Sequence, residues 1–303
     1  MPNSIYVPVL GGHDETTVSS NSDDGTVVPV ANNGTVTVPR LDDIETTFER
    51  IRVLGRGAYG TATLFRRRQD DELVVVKEII LTDLKPKDRL LAQNEVKLLA
   101  MFDHPNVIGY YDSSDTNGVL RIEMEYADGG NLAQWIGQQK DLVPQPRVLH
   151  MFKQIVAALD YVHSQNVIHR DIKADNVFLT RHGVPKLGDF GISKSIASTM
   201  AKAHTVVGTP YYISPELAQG KPYDNKTDIW SLGCVAYELL TLHRTFEGSN
   251  LPALVRKIMK GQFTPINGPY DPELKALVTS MLRHDPARRP SCRDMLEHPL
   301  LQK

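Results

Sequence analysis

The apolar positions of this 303-residue chain change their period part-way along it, and that change divides the molecule. From about Phe48 to Met124 short runs of β-branched and aromatic residues dominate: Ile51 and Val53, then Thr61, Thr63 and Phe65, then Leu73 to Val76. Runs of this kind predict strands, whose successive side chains point to opposite faces. One helix interrupts them, marked by Leu90, Leu91, Leu98 and Leu99 between Lys87 and Phe102. From Asn131 onward the spacing turns helical. Val148, Leu149, Phe152, Ile155, Val156, Leu159 and Val162 form one stripe at steps of three and four. Asp228 to Leu240 is apolar almost all round, which predicts a helix buried inside a larger body. A sheet-rich half followed by a helical half predicts an α+β chain with two lobes.

Residues 1–46 follow neither period. They are rich in Gly, Pro, Ser, Thr, Asn and Asp, and are expected to be a disordered tail. Gly25 to Pro29 and Gly34 to Pro39 echo one another but are too short for a structural repeat. A hairpin turning at Asn33-Gly34 is the alternative. Charge sets the tail apart as well: seven acids against Arg40 leave it at −6, and the body at +4, within a total of −2. So small a balance predicts no nucleic-acid or membrane partner. Cys234 and Cys292 lack metal-ligand spacing and are too few for a disulfide framework, which predicts a reducing, cytoplasmic setting. No leader opens the chain and no apolar run approaches the roughly 18–20 residues of a bilayer span, so no membrane insertion is expected.

Four segments carry chemistry. Gly55-Arg56-Gly57-Ala58-Tyr59-Gly60 is a G-x-G-x-x-G run followed by the strand-like Thr61 to Phe65. Strand, glycines, strand makes a hairpin able to lay backbone N–H groups over a polyphosphate; alone, the run is also an ordinary glycine-rich turn. Lys77 closes an apolar strand, and Glu95 projects from the apolar side of the predicted helix. An inward carboxylate needs a cation, so the two are expected to pair. His169-Arg170-Asp171-Ile172-Lys173-Ala174-Asp175-Asn176 places an acid, a lysine two residues on and an amide five residues on. That spacing suits orienting a hydroxyl, steadying a phosphate and holding a metal. Asp189-Phe190-Gly191 then offers a second metal-binding carboxylate with a glycine hinge.

In this order the segments resemble the eukaryotic protein kinase family over about residues 48–300, with Ser214-Pro215-Glu216, Asp228 and Arg289 completing the set. The resemblance implies a bilobal fold: a small antiparallel β-sheet lobe with one helix (47–124), a hinge (125–130) and a larger, mainly helical lobe (131–303). It implies ATP and Mg²⁺, with Asp171 as catalytic base, Lys173 steadying the transferring phosphate, and Lys77, paired with Glu95, on the α- and β-phosphates. Asn176 and Asp189 would hold Mg²⁺. Leu54, the Gly55 to Gly60 loop, Ala62, Val75, Met124, Glu125, Ala127 and Phe178 would surround the nucleotide, with Met124 as gatekeeper. Glu216 would pair with Arg289, and Asp228 would tie the catalytic loop to the central helix.

Lys173 and Gly208-Thr209-Pro210-Tyr211-Tyr212 mark a serine/threonine enzyme acting on protein substrates. Val206 to Leu217, Glu123 to Leu132 and His104 to Ile108 are similar to the NIMA-related (Nek) kinases, above all to members that usually carry RCC1-type repeats. Centrosomal, microtubule or ciliary placement, and an activating partner or upstream kinase, are implied on the same ground. Three departures stand out: Ala62 for the usual valine, Val75 for the usual alanine, and Ser214 for alanine; none removes a group that touches phosphate or metal. A buried Arg170 beside Asp171 would need an anion, and phosphorylated Thr205 is the first choice, with Ser195, Ser198 and Thr199 as alternatives. Tyr110 stands where several Neks place an inhibitory tyrosine, and Ile192 is the residue type associated with threonine acceptors. The rival readings are a pseudokinase acting as a binding module, and a small-molecule kinase.

Overall fold

The computed structural model describes residues 44–57, 60–190, 210–222 and 224–302, without the side chains of Lys87, Leu91 and Glu95. Ile44–Thr47 forms a short helix, α1, and Ile44 packs against a cluster of Phe48, Phe65, Val74 and Val76. This helix lies partly within the stretch that composition assigned to the tail; one apolar anchor draws it onto the sheet. Residues 1–43, and with them the Asn33-Gly34 hairpin, lie outside the described residues.

Five antiparallel strands follow: β1 (Phe48–Gly57), β2 (Gly60–Arg67), β3 (Leu73–Ile80), β4 (Tyr110–Thr116) and β5 (Val119–Glu125), in the order β1-β2-β3-β5-β4. Residues directly opposed in an antiparallel ladder share a face. Gly55 opposes Ala62, Ala62 opposes Lys77, and Val75 opposes Met124, so these five positions look to one side of the sheet. Val74 and Val76 look to the other.

Helix α2 (Pro86–Leu99) starts on a proline, whose missing N–H costs nothing in the first turn. Its buried apolar residues are Ala92, Val96 and Leu99, whereas Leu90 and Leu98 are 58% and 39% exposed. The predicted apolar face is therefore met in part: Leu99 is buried as expected and Leu90 and Leu98 are not, while Ala92 and Val96 join Leu99 in the cluster that holds Ile79, Leu120 and Ile122 of the sheet.

The second lobe contains α3 (Leu132–Gly137), α4 (Gln145–Ser164), the hairpin of β6 (Val177–Leu179) and β7 (Pro185–Leu187), α5 (Pro215–Ala218) and α6 (Lys226–Thr241). It continues with α7 (Leu251–Lys260), α8 (Pro272–Met281), α9 (Cys292–Leu296) and α10 (Pro299–Gln302). An Asn131–Gln134 capping box starts α3, satisfying N–H groups that the first turn leaves unpaired. The stripe on α4 is buried as expected, Leu149 only partly. Every residue of α6 from Thr227 to Leu240 is buried, so the all-round apolar segment is the central helix of its lobe. Among the described residues no helix is long and apolar enough to cross a membrane.

Candidate active site

The catalytic-loop candidates are held from behind by one carboxylate. Asp228, buried near the start of α6, accepts the backbone N–H of His169 at 2.8 Å and of Arg170 at 2.9 Å, and pairs with His163 Nε2 at 2.9 Å. His169 Nδ1 accepts the Asp171 N–H at 3.2 Å, which leaves the Nε2 proton to donate to the Gly188 carbonyl at 3.1 Å. Burial lowers the pKa of this imidazole and favours that neutral tautomer. The expected Asp228 tie is therefore present. Of the two histidines that complete it, His169 opened the quoted octapeptide without a role, and His163 was not singled out because its partner lies far along the chain.

In front of this scaffold three predicted residues converge. Asn176 Nδ2 donates to the Asp171 backbone oxygen at 2.9 Å and to its carboxylate at 3.0 Å, and Lys173 Nζ lies 3.1 Å from the same carboxylate. Asp189 adopts φ of 52° and Arg170 φ of 68°, left-handed backbone that is uncommon outside glycine and clusters at functional sites. Phe190 is wedged between the rings of His169 and Phe102, at 4.6 and 4.9 Å.

Lys77 and Asp189 meet across the lobes, Nζ to Oδ1 at 2.8 Å. Glu95 was the expected partner of Lys77. It sits on α2 with its side chain outside the described residues, and the partner that Lys77 shows is Asp189. Arg170 also departs from expectation: it is exposed rather than buried. Asp228 fixes the backbone here, accepting the Arg170 N–H at 2.9 Å with Arg170 at a φ of 68°.

Above the site, Gly55, Ala62, Val75 and Met124 line the sheet face that carries Lys77. Leu54 and Arg56 are exposed at the loop, while Ala58 and Tyr59 lie outside the described residues. A Cβ on Gly60 would collide with the Glu78 carbonyl oxygen, so only glycine lets β2 close on β3 there. Among the described residues nothing stands within 4 Å of where a Cβ on Gly55 would be. The hinge is pinned on the far side. Glu125 accepts the Gly109 N–H at 3.0 Å and Lys186 Nζ at 2.8 Å, and Gly129 donates to the Leu179 carbonyl at 2.7 Å. Phe178, half-buried on β6, lies beside Gly188. Tyr110 lines the space behind Lys77, Met124, Asp189 and Phe190, its hydroxyl 2.7 Å from Ser113 Oγ. Thr205, its alternatives and Ile192 lie outside the described residues.

Hard oxygen donors at Asn176 and Asp189 fit Mg²⁺, an ion that keeps waters and phosphate oxygens rather than an all-protein cage. Among the described residues no cluster of three or more His, Cys, Asp or Glu could hold a metal, which agrees with that partial donor set. The arrangement suits positioning a hydroxyl against a polyphosphate.

A model of the protein kinase domain matches residues 48–301. The chain is 49% identical over 253 residues to the serine/threonine-protein kinase Nek8 of Danio rerio, covering 83% of this chain and 36% of that one. It is 48% identical over 263 residues to the probable serine/threonine-protein kinase nek3 of Dictyostelium discoideum, covering 84% and 23%. With the serine/threonine-protein kinase Nek9 of Xenopus laevis it shares 43% over 295 residues, covering 96% and 30%. The chain thus spans about a quarter to a third of the length of these relatives.

Proposed function

The chain belongs to the protein kinase domain family, and on that premise we propose that it transfers the γ-phosphate of ATP to serine or threonine residues of other proteins, as a Nek-like kinase. The observation that carries this reading is the convergence of Asp171, Lys173 and Asn176 within hydrogen-bonding reach, with Lys77 and Asp189 paired across the lobes. Asp171 would accept the hydroxyl proton and orient the attacking oxygen. Lys173 would follow the transferring phosphate as charge develops on it. Lys77, now on Asp189, would turn to the phosphates of the nucleotide. Asn176 and Asp189 would hold Mg²⁺, which when bound neutralises charge on the phosphate oxygens. The pseudokinase alternative is disfavoured because these groups are all present.

Regulation is part of the same reading. Thr205 is proposed as the activating phosphorylation site; its support is the Nek-like sequence from Val206 to Leu217. An upstream kinase or activating partner, and placement at centrosome, microtubule or cilium, rest on resemblance alone. The test is to give the purified chain Mg-ATP and a randomised peptide library, and to read peptides and enzyme by mass spectrometry. Phosphate on serine or threonine peptides, and on Thr205, is expected; label on neither would sink the reading.

Tyr110 supplies a separate prediction. It faces Asp189 and Phe190, so Tyr110→Ala is expected to raise basal turnover several-fold. A lower melting temperature with unchanged turnover would instead make the ring a packing residue.

A further inference from the structure

The second lobe carries a cleft of ≈ 320 Å³ that has neither Lys77 nor Asp171 in its lining. The loop after α6 and the helix α7 form its walls, with Arg244, Glu247, Lys257, Gln262 and Phe263 among the lining residues. Two cations and one carboxylate are among them. Neither Arg244 nor Lys257 forms an ion pair with Glu247 or with any other described residue. Arg244 is half-buried, yet its guanidinium makes no hydrogen bond among the described residues. It stacks, 4.1 Å from the Tyr211 ring centre and 5.7 Å from that of Tyr212, and its charge acts on the buried Glu238 carboxyl behind them. Stacking fixes the plane of the guanidinium and leaves its N–H fork available for a planar or tetrahedral oxyanion. The floor beneath is rigid: Phe263 meets Tyr237 and Phe246 edge to face, at 5.7 and 5.8 Å.

We propose that this cleft is a docking site for an anionic side chain, phosphate or carboxylate, on the protein substrate. The occupant follows from the neighbours. Arg244 leans on Tyr211 and Tyr212, which belong to the segment between Pro210 and Ser214, and Tyr212 is itself anchored to Glu238 on α6 at 3.0 Å. Both tyrosines belong to the Gly208 to Tyr212 run that marks an enzyme acting on protein substrates, so an anion held by Arg244 and Lys257 is assigned to the substrate chain. The cleft is at the small end of ligand sites, sized for one or two side chains rather than a nucleotide. The proposal rests on the kinase reading above, deepening it to substrate selection.

The test uses the full chain and a peptide series in which one position at a time, on either side of the acceptor, carries serine, aspartate or phosphoserine. At one offset KM is expected to fall roughly tenfold for phosphoserine, less for aspartate, with kcat unchanged. Lys257→Ala and Arg244→Gln should each erase that advantage. Turnover of every peptide with equal KM, or an advantage that survives both substitutions, overturns docking while leaving the kinase reading intact. Fluorescence anisotropy with the same labelled peptides decides docking without turnover, where equal Kd for neutral and anionic peptides overturns it. Absence of all phosphorylation alongside selective anion binding would instead sink the kinase reading alone.

Discussion

Asp171→Asn is expected to lower kcat by roughly 10²–10⁴-fold, the range for losing a positioned general base. The substitution is nearly isosteric, so what it removes is charge and proton affinity. Asn176 donates to the Asp171 backbone oxygen at 2.9 Å, a contact the variant retains, and to the carboxylate at 3.0 Å, where an amide oxygen can still accept. Lys173, 3.1 Å from that carboxylate, loses its counter-charge. The loop is also anchored by Asp228 through the backbone of His169 and Arg170, which the change does not touch. The melting temperature and the calorimetric affinity for Mg-ATP should therefore stay close to wild type while peptide phosphorylation collapses. Turnover within tenfold of wild type would remove Asp171 from the chemistry.

The second large effect is on stability. Arg289→Ala is expected to cost about 3–5 kcal/mol, as breaking a buried pair does when it strands the partner. Arg289 uses all five of its N–H donors. Two run to Glu216, at 2.7 and 2.8 Å, and three to the carbonyls of Lys226, Arg283 and His284. Its guanidinium also lies 5.1 Å from the Trp230 ring centre. Truncation leaves Glu216 buried with Thr227 as its remaining side-chain donor, at 2.8 Å. At 2–4 °C per kcal/mol for a body of this size, the melting temperature should fall on the order of 10 °C.

A pH signature accompanies it. Burial by itself would raise the Glu216 carboxyl, but the hydrogen bonds from Arg289 and Thr227 outweigh it and bring the pKa down to about 2. A depressed carboxylate contributes stability that is fully present above its ordinary value of 4.5 and is lost as pH falls through about 2. Wild type should lose stability over that window, and Arg289→Ala should lose much less there. Parallel denaturant titrations between pH 5 and pH 2 measure the difference; equal slopes would show that the pair does not set the acid limit.

The Glu238 carboxyl moves the opposite way. Burial pushes it up to about 7, against the Tyr212 hydrogen bond and the Arg244 charge. It sits behind the segment that the docking cleft adjoins, and the sequence showed it only as the second acid, after Asp228, of an otherwise largely apolar helix.

Local windows of the sequence determined the chemical inventory. Gly55 to Gly60, His169 to Asn176 and Asp189-Phe190 were legible because phosphate cradling, hydroxyl orientation and metal binding each need particular side chains at short, fixed offsets. Period alone likewise determined the strand-rich and helical halves and the buried central helix, since burial on all sides leaves no polar face to find. Only the tertiary structure decided that Lys77 meets Asp189, 112 residues away, that α2 buries its 92/96/99 ridge, and that Arg170 is exposed. Arg244 leaning on Tyr211 belongs with these. The reason is common to all of them. A pattern reports which positions are apolar or charged, whereas the partner of a charge and the face a helix buries are set by whichever element the chain folds against it.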